Sequence, residues 1–433
     1  MKKLLIIVLT ICMLISAGCA AGKKPAVQNG SVDTGVDRPS KPGEYVDGVI
    51  GENKAEGHGG VIAPGAAKDG KIRYESEVVP AADYAEDIGD IYVPEPFPGG
   101  EYNGQIRAGT LTAGEIKDLD DLAHWLTLWN EAQWDAVKKA RGLYAENVVR
   151  VKTAPLTEVK LFDGDNNTLY TAVSDIYGNA FLVFKSTDKG NIATVSSGDA
   201  RKELTLAPGA VVELAQAQAT SATKLDLMLM IDTTGSMGDE LEYIKVELKD
   251  VIERVRKEQN IDIRVSVNFY RDEGDEYVVK YFDFRENIDD CVTILGQQYS
   301  DGGGDYPEAV HTAINNVLQH NWRTDAVKLC FFVLDAPPHD EAEIQGINSG
   351  MLKDVATMAS KGIRFISVVS SGADSGVEVL MRSFAVMTGG TYLFLTNDSG
   401  IGGDHQEPTD TEYQVEPLND CMVRVIKDYV FAK

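Results

Sequence analysis

Basic charge is scarce in this 433-residue chain: 41 Lys and Arg stand against 67 Asp and Glu, a formal net charge of −26. A chain this acidic lacks the basic face that nucleic-acid binding requires. It suits a soluble surface or a cation-binding role. Cysteine is scarce too, with five residues, of which Cys12 and Cys19 fall in the first 19. That leaves Cys291, Cys330 and Cys421, an odd number, so at least one stays unpaired within one chain. Cys330 sits inside the apolar run "LCFFVL" and reads as a small buried hydrophobe; a Cys291–Cys421 bridge is left open. The apolar stretch from Leu4 to Ile15 is shorter than the roughly 20 residues a spanning helix needs.

That stretch belongs to a leader: a basic start at Lys2 and Lys3, an apolar core, and small residues before Cys19. "SAGC" resembles a bacterial lipoprotein signal box, with Ser16 where Leu is commonest. The resemblance implies a signal peptide over 1–18, cleavage before Cys19 and diacylglyceryl attachment to its sulfur. The protein would then be lipid-anchored and extracytoplasmic, at the cell membrane or cell surface. Residues 19–95 are rich in Gly, Pro, Ala and acidic residues without a sustained period. Such composition cannot offset chain entropy by burial and predicts a flexible linker, with local pairing expected in segments such as "KIRYESEVV".

The length allows two or three folded units, at about 100–200 residues each. Residues 96–146 read as a helical segment, with Thr112 and Glu115 as a capping box and Leu119, Leu122, Trp125, Leu126 and Trp129 at helical spacing. Trp125, Trp129 and Trp134 there suggest packing on another unit. Residues 147–222 switch to period two ("NVVRVKT", "TEVKLFD", "TLYTAVSD", "NAFLVFKS"), which predicts a small all-β sandwich. It looks like the transthyretin-like domains of carboxypeptidases and surface proteins. The turn "DGDNN" supplies Asp163, Asp165 and Asn167 at calcium-loop spacing, but Thr168 and Ser174 stand where Gly and Glu are required, so it reads as a hairpin turn.

From 223 to 433 apolar runs alternate with helical patterns. This predicts an α/β unit with a doubly wound, mostly parallel six-stranded sheet covered on both faces. "YVVKYF" (277–282) follows its neighbour too closely for a crossover and reads as an antiparallel edge hairpin. Pro307 suits the first turn of a helix. Ligands in such sheets bind beyond the strands' carboxyl ends, where strand order reverses. With order 3-2-1-4-5-6, the first strand ends in Asp232 and its neighbour, the fourth, in Asp335. Thr234 and Ser236 follow Asp232 at alternate positions. These hard oxygen donors suit Mg²⁺, with Mn²⁺ or Ca²⁺ as alternatives.

"DTTGS" (232–236) matches the D-x-[ST]-x-S signature of the von Willebrand factor A-type domain, and the helix and Asp335 that follow resemble the rest of its metal-ion-dependent adhesion site (MIDAS). The resemblance implies that Thr234 and Ser236 coordinate through their hydroxyls, while Asp232 and Asp335 act directly or through water. It also implies a protein partner that can supply a carboxylate to the metal. The second loop departs from the pattern: "SDGGGDYPEAV" (300–310) has no Thr. Asp305 is the natural substitute, with Glu308 second and placed just inside a helix. An acid there should tighten cation binding and weaken attraction for an acidic partner. The bland alternative is a strand-to-helix turn with a capping Asp or Ser. "YRDEGDE" (270–276) reads as a solvated turn and "NDSGIGGDHQEPTDTE" (397–412) as a mobile loop. The expected function is metal-dependent protein–protein interaction or adhesion by a membrane-anchored, non-enzymatic module. The alternatives are a metal-assisted hydrolase, or a structural envelope lipoprotein whose ion only stabilises its fold.

Overall fold

The computed structural model describes residues 106–433 except 217, 259–260 and 411–412, together with three short strands, Gly43–Glu44, Gly59–Ile62 and Ser76–Val79. The leader, Cys19 and most of the linker lie outside the described residues. No helix among the described residues is long and apolar enough to cross a membrane.

β1 (Lys224–Asp232) is buried along its length from Leu225 onward. Its side chains alternate between two cores: Leu225, Leu227, Leu229 and Ile231 on one face, Met228 and Met230 on the other. This is what a strand covered on both sides must look like. β2 (Asp262–Tyr270), β3 (Val279–Phe282), β4 (Val327–Leu334), β5 (Ile363–Val369) and β6 (Tyr392–Leu395) complete the expected set. Their spatial order is 6-5-4-1-2-3, with only β3 antiparallel to its neighbour. Helices α1 (Leu241–Arg256), α2 (Ile288–Gly296) and α6 (Leu418–Val430) bury their apolar stripes on one face. Helices α3 (Val310–Val317), α4 (Ile347–Lys361) and α5 (Ser375–Thr388) cover the other.

The sheet has ten strands, not six. Thr112–Ile116 and Glu416–Pro417 extend it beyond β6, while Gly59–Ile62 and Ser76–Val79 extend it beyond β3. All four additions are antiparallel. They satisfy edge amides and carbonyls that would otherwise stay unpaired, and β3 is therefore not an edge. The expected capping box at Thr112 and Glu115 is in fact the strand Thr112–Ile116. Its residues pair with β6, Ile116 opposite Tyr392 and Ala113 opposite Leu395. The helix begins at Leu122, capped by Asp121, whose Oδ1 accepts from His124 N at 3.0 Å.

The tryptophans pack inward, as expected. Trp125 and Trp134 are fully buried and flank the buried Arg382 guanidinium, 5.4 Å from each ring. Arg382 bonds Asp118 through Nε and Nη2 and Glu378 through Nη1. Residues 148–213 form two small sheets, one of four antiparallel strands and one of three. Their buried Val149, Val151, Val159, Leu161 and Leu182 join the same core as α4 and α5. The turn at 163–167 is a hairpin turn, with Asp163 Oδ1 accepting from Asp165 N and Asn167 N. Cys291, Cys330 and Cys421 are buried and free, so the Cys291–Cys421 bridge is not formed.

Candidate metal centre

β1 and β4 are neighbours in parallel register, so Asp232 and Asp335 emerge side by side at their carboxyl ends. Beyond Asp232 the chain turns at Thr233, whose Oγ1 donates to Tyr270 O at 3.0 Å and lies 2.7 Å from the Tyr277 hydroxyl. The fully buried Asp232 carboxylate folds the next residue back on itself. Its Oδ1 accepts from Thr234 N at 2.8 Å and from Thr234 Oγ1 at 2.6 Å. Ser236 Oγ lies 3.2 Å from Thr234 Oγ1 and is exposed. The two hydroxyls and the two carboxylates therefore gather at one place.

The 300–308 loop closes the other side. Backbone bonds join it to the first loop: Asp301 N donates to Thr233 O at 3.0 Å, and Gly235 N to Gly302 O at 3.2 Å. Gly302 and Gly303 have φ of 75° and 72°, in the left-handed region that glycine occupies without penalty. Space also requires them. A Cβ on Gly302 would lie 2.4 Å from the Asp275 carboxylate, and one on Gly303 3.1 Å from Glu308 Oε1.

This path decides which acid faces the centre. Asp305 is exposed, whereas Glu308 is 2% exposed. Glu308 is not inside a helix, because α3 starts at Val310; its N–H instead donates to Pro337 O at 2.9 Å in the loop after β4. Pro307 likewise precedes the helix rather than opening it. Arg141, from the helix Asp135–Arg141, holds that same loop by donating to Pro338 O and His339 O.

Two other stretches differ from expectation. "YRDEGDE" is no solvated turn: Arg271 and Asp272 are buried, and Asp275 Oδ2 accepts from Gly303 N at 2.9 Å and from Asp272 N at 3.0 Å. Asp272 Oδ1 meets His339 Nε2 at 2.6 Å, and Glu343 Oε2 meets His339 Nδ1 at 2.8 Å. Although burial opposes its charge, these two carboxylates raise the His339 imidazole to about 9. Nor is the stretch 397–410 a loose loop. His405 is buried with Nε2 2.9 Å from Glu240 Oε1, and Thr409 donates to Glu378 through both N and Oγ1. Sequence reasoning missed these supports because those that fix the stretches in place, Asp275 on Gly303, Asp272 on His339, His405 on Glu240 and Thr409 on Glu378, join residues far apart in the chain.

The electrostatics at the centre are uncompensated. Asp232 Oδ2, Asp335 Oδ1 and Glu308 Oε2 are buried without a hydrogen bond of good geometry, although the buried Tyr270 hydroxyl lies close enough to Asp232 to favour its charged form. Burial, then the Asp335 charge, pushes Asp232 up to about 8. Burial raises Asp335 to about 6, against the hydrogen bond from Ser236. Burial and then Asp232 raise Glu308 to about 10. Burial and mutual repulsion thus disfavour the charged forms of all three carboxyls. Among the described residues no group of three or more His, Cys, Asp or Glu side chains is arranged to hold a metal. The donor set here is mixed instead, carboxylate oxygens with the Thr234 and Ser236 hydroxyls, and such hard oxygens fit Mg²⁺ or Ca²⁺.

Residues 226–396 match the family model of the von Willebrand factor A domain. An ariadne-like RING finger protein of Acanthamoeba polyphaga mimivirus is 31% identical over 121 residues, 27% of this chain and 12% of that protein. An alpha-protein kinase of Dictyostelium discoideum is 26% identical over 117 residues, 27% of this chain and 19% of that protein. The matched segment thus spans a small part of either relative. The crystal structure of the conserved hypothetical protein BatB from Bacteroides thetaiotaomicron aligns with a TM-score of 0.31 at 12% identity, covering 47% of this chain and 98% of that one.

Proposed function

From the premise that residues 226–396 are a von Willebrand factor A domain, we propose that the chain is a non-enzymatic interaction module that captures a protein partner in a divalent-cation-dependent way. The observation that carries this reading is the set of buried carboxylate oxygens without a hydrogen-bond donor, Asp232 Oδ2, Asp335 Oδ1 and Glu308 Oε2. A native fold does not retain several such groups without compensation. In this reading Asp232, Thr234, Ser236, Asp335 and Glu308 hold Mg²⁺, Mn²⁺ or Ca²⁺. Asp305, being exposed, stands outside the donor set. The cation supplies positive charge that neutralises the cluster and fixes the three loops relative to one another.

The same proposal places the module outside the cytoplasm, tethered by a lipid on Cys19, and reads the two small sheets as a transthyretin-like domain. Radiolabelled palmitate incorporated by the full chain and lost on Cys19→Ala tests the anchor; equal labelling of both would refute it. Calorimetry tests the ion. Mg²⁺ should bind the parent, and Asp232→Ala with Ser236→Ala should abolish binding while circular dichroism stays native-like. Absence of heat from any of the three cations at millimolar concentration would overturn the metal centre.

A further inference from the structure

We propose that the metal-bearing end of this domain docks a basic segment of a partner protein, met by lysine or arginine side chains rather than by a carboxylate. This rests on the metal reading above and specifies the partner's chemistry. In that reading Asp232, Asp335 and Glu308 set three negative charges against the two positive charges of a divalent cation, so the loaded centre stays anionic. Glu308 is 2% exposed, with Oε2 lacking a donor, and a Cβ on Gly303 would touch both its carboxylate and Thr234. It thus lies beside Thr234, within the centre itself. A partner carboxylate would meet net repulsion there.

The rim reinforces that sign. Asp239, Asp301, Asp305, Asp374 and Asp404 are all exposed, and they come from four separate loops. Those loops are tied together at the mouth. Asp301 N donates to Thr233 O, Gly372 N to Asp404 O, and the Tyr306 hydroxyl to Gly372 O at 3.3 Å. The segments 232–240, 299–308, 335–343, 370–376 and 397–407 contain no lysine or arginine. In 271–276 the sole basic residue is Arg271, which is 1% exposed. Arg141 reaches this end only by bonding the carbonyls of Pro338 and His339. Two tyrosines stand out from this ring, Tyr299 and Tyr306, each 45% exposed. Tyr299 already holds the Arg271 guanidinium 5.2 Å from its ring centre, and exposed aromatic faces favour such cations. Charges spread over four loops match an extended basic segment better than a single small cation.

The test is fluorescence anisotropy of the full chain in millimolar Mg²⁺ with labelled Lys/Arg-rich and Asp/Glu-rich peptides of equal length. The basic peptide should bind at least about tenfold more tightly, with affinity falling steeply as salt rises. Asp301→Asn/Asp374→Asn/Asp404→Asn should weaken it about tenfold, as three exposed charges of a few tenths to one kcal/mol would. Calorimetric Mg²⁺ binding by that variant should be unchanged. A control at distant exposed acids, Glu158→Gln/Glu213→Gln/Asp289→Asn, should leave peptide binding as it was. Equal or tighter binding of the acidic peptide would overturn the proposal. So would equal loss in the distant control, which would reduce the effect to net charge. Failure of Mg²⁺ to bind the parent would instead refute the metal centre, a separate measurement with a separate readout.

Discussion

β1 carries two fully buried aspartates, one near each end, and they are treated in opposite ways. Asp226 receives Arg264 Nε and Nη2 at 3.0 and 2.8 Å, and Arg323 N and Nε at 2.7 and 2.8 Å. Every lone pair that matters has a charged or amide donor. Asp232, six residues on, has the amide and hydroxyl of Thr234, both on Oδ1, and the neutral Tyr270 hydroxyl nearby, while the charge that acts on it most strongly is another carboxylate, Asp335. Burial is the same and the residue type is the same. The difference is that the fold supplies a counter-charge at one end of the strand and withholds it at the other. A compensated buried carboxylate is part of the structure; an uncompensated one in a cleft marks a candidate functional site.

The comparison can be broken in order of expected effect. Asp226→Ala strands two guanidinium groups and should cost about 3–5 kcal/mol in urea unfolding, toward the lower end because both arginines are partly exposed. Mg²⁺ should leave the stability conferred by the Asp226 end alone and raise total stability by about 2.7 kcal/mol at a hundredfold excess over its Kd. Unfolding curves with and without chelator measure this, and the Asp232→Ala/Ser236→Ala protein should show no gain.

The pH dependence should be smaller and should belong to the Asp232 end. A carboxyl whose folded value lies above its unfolded one binds protons more tightly when folded. Its favourable contribution is therefore complete below the unfolded value and is lost as pH rises through the folded one. With Asp232 raised from 3.8 to about 8, ion-free stability should decline between about pH 4 and 8, by roughly 1–3 kcal/mol. Saturating Mg²⁺ should flatten that decline, and Asp232→Asn should remove most of it. A flat ion-free profile would mean that the carboxylate is compensated after all. The smallest contrast lies within the second loop. Glu308→Gln should weaken Mg²⁺ about tenfold by calorimetry, about 1.4 kcal/mol. Asp305→Asn should change it by less than about twofold, as expected of a solvated charge. The reverse order would restore Asp305 as the ligand.

Much of this was legible in the chain. Apolar runs separated by helical stripes implied the strand order, and the order alone brings Asp232 beside Asp335. "DTTGS" is a local device, since the Asp232 carboxylate bonds the amide and hydroxyl only two residues away. The antiparallel placement of "YVVKYF" followed from its short connection. Three of the four added strands, Gly59–Ile62, Thr112–Ile116 and Glu416–Pro417, were not legible, because each pairs with an edge far away in sequence; Ser76–Val79 lies in the segment expected to pair locally and does so, with Gly59–Ile62. Thr112 and Glu115 satisfy the spacing of a helix cap, yet the open edge of β6 offers that segment a full ladder of hydrogen bonds, and tertiary pairing outweighs local preference.

The chain by itself therefore determined the six central strands, their switch point and the first loop, all of which depend on short-range periodicity and on rules of strand connection. Only the tertiary structure decided which acid of "GGGDYPE" is buried. Spacing favoured Asp305, the first acid after the glycines. The left-handed path through Gly302 and Gly303, the Asp275 carboxylate on Gly303 N and the grip of Pro337 O on Glu308 N turn Asp305 outward and Glu308 inward. Those contacts reach across 28 and 29 residues, so no local rule could have weighed them.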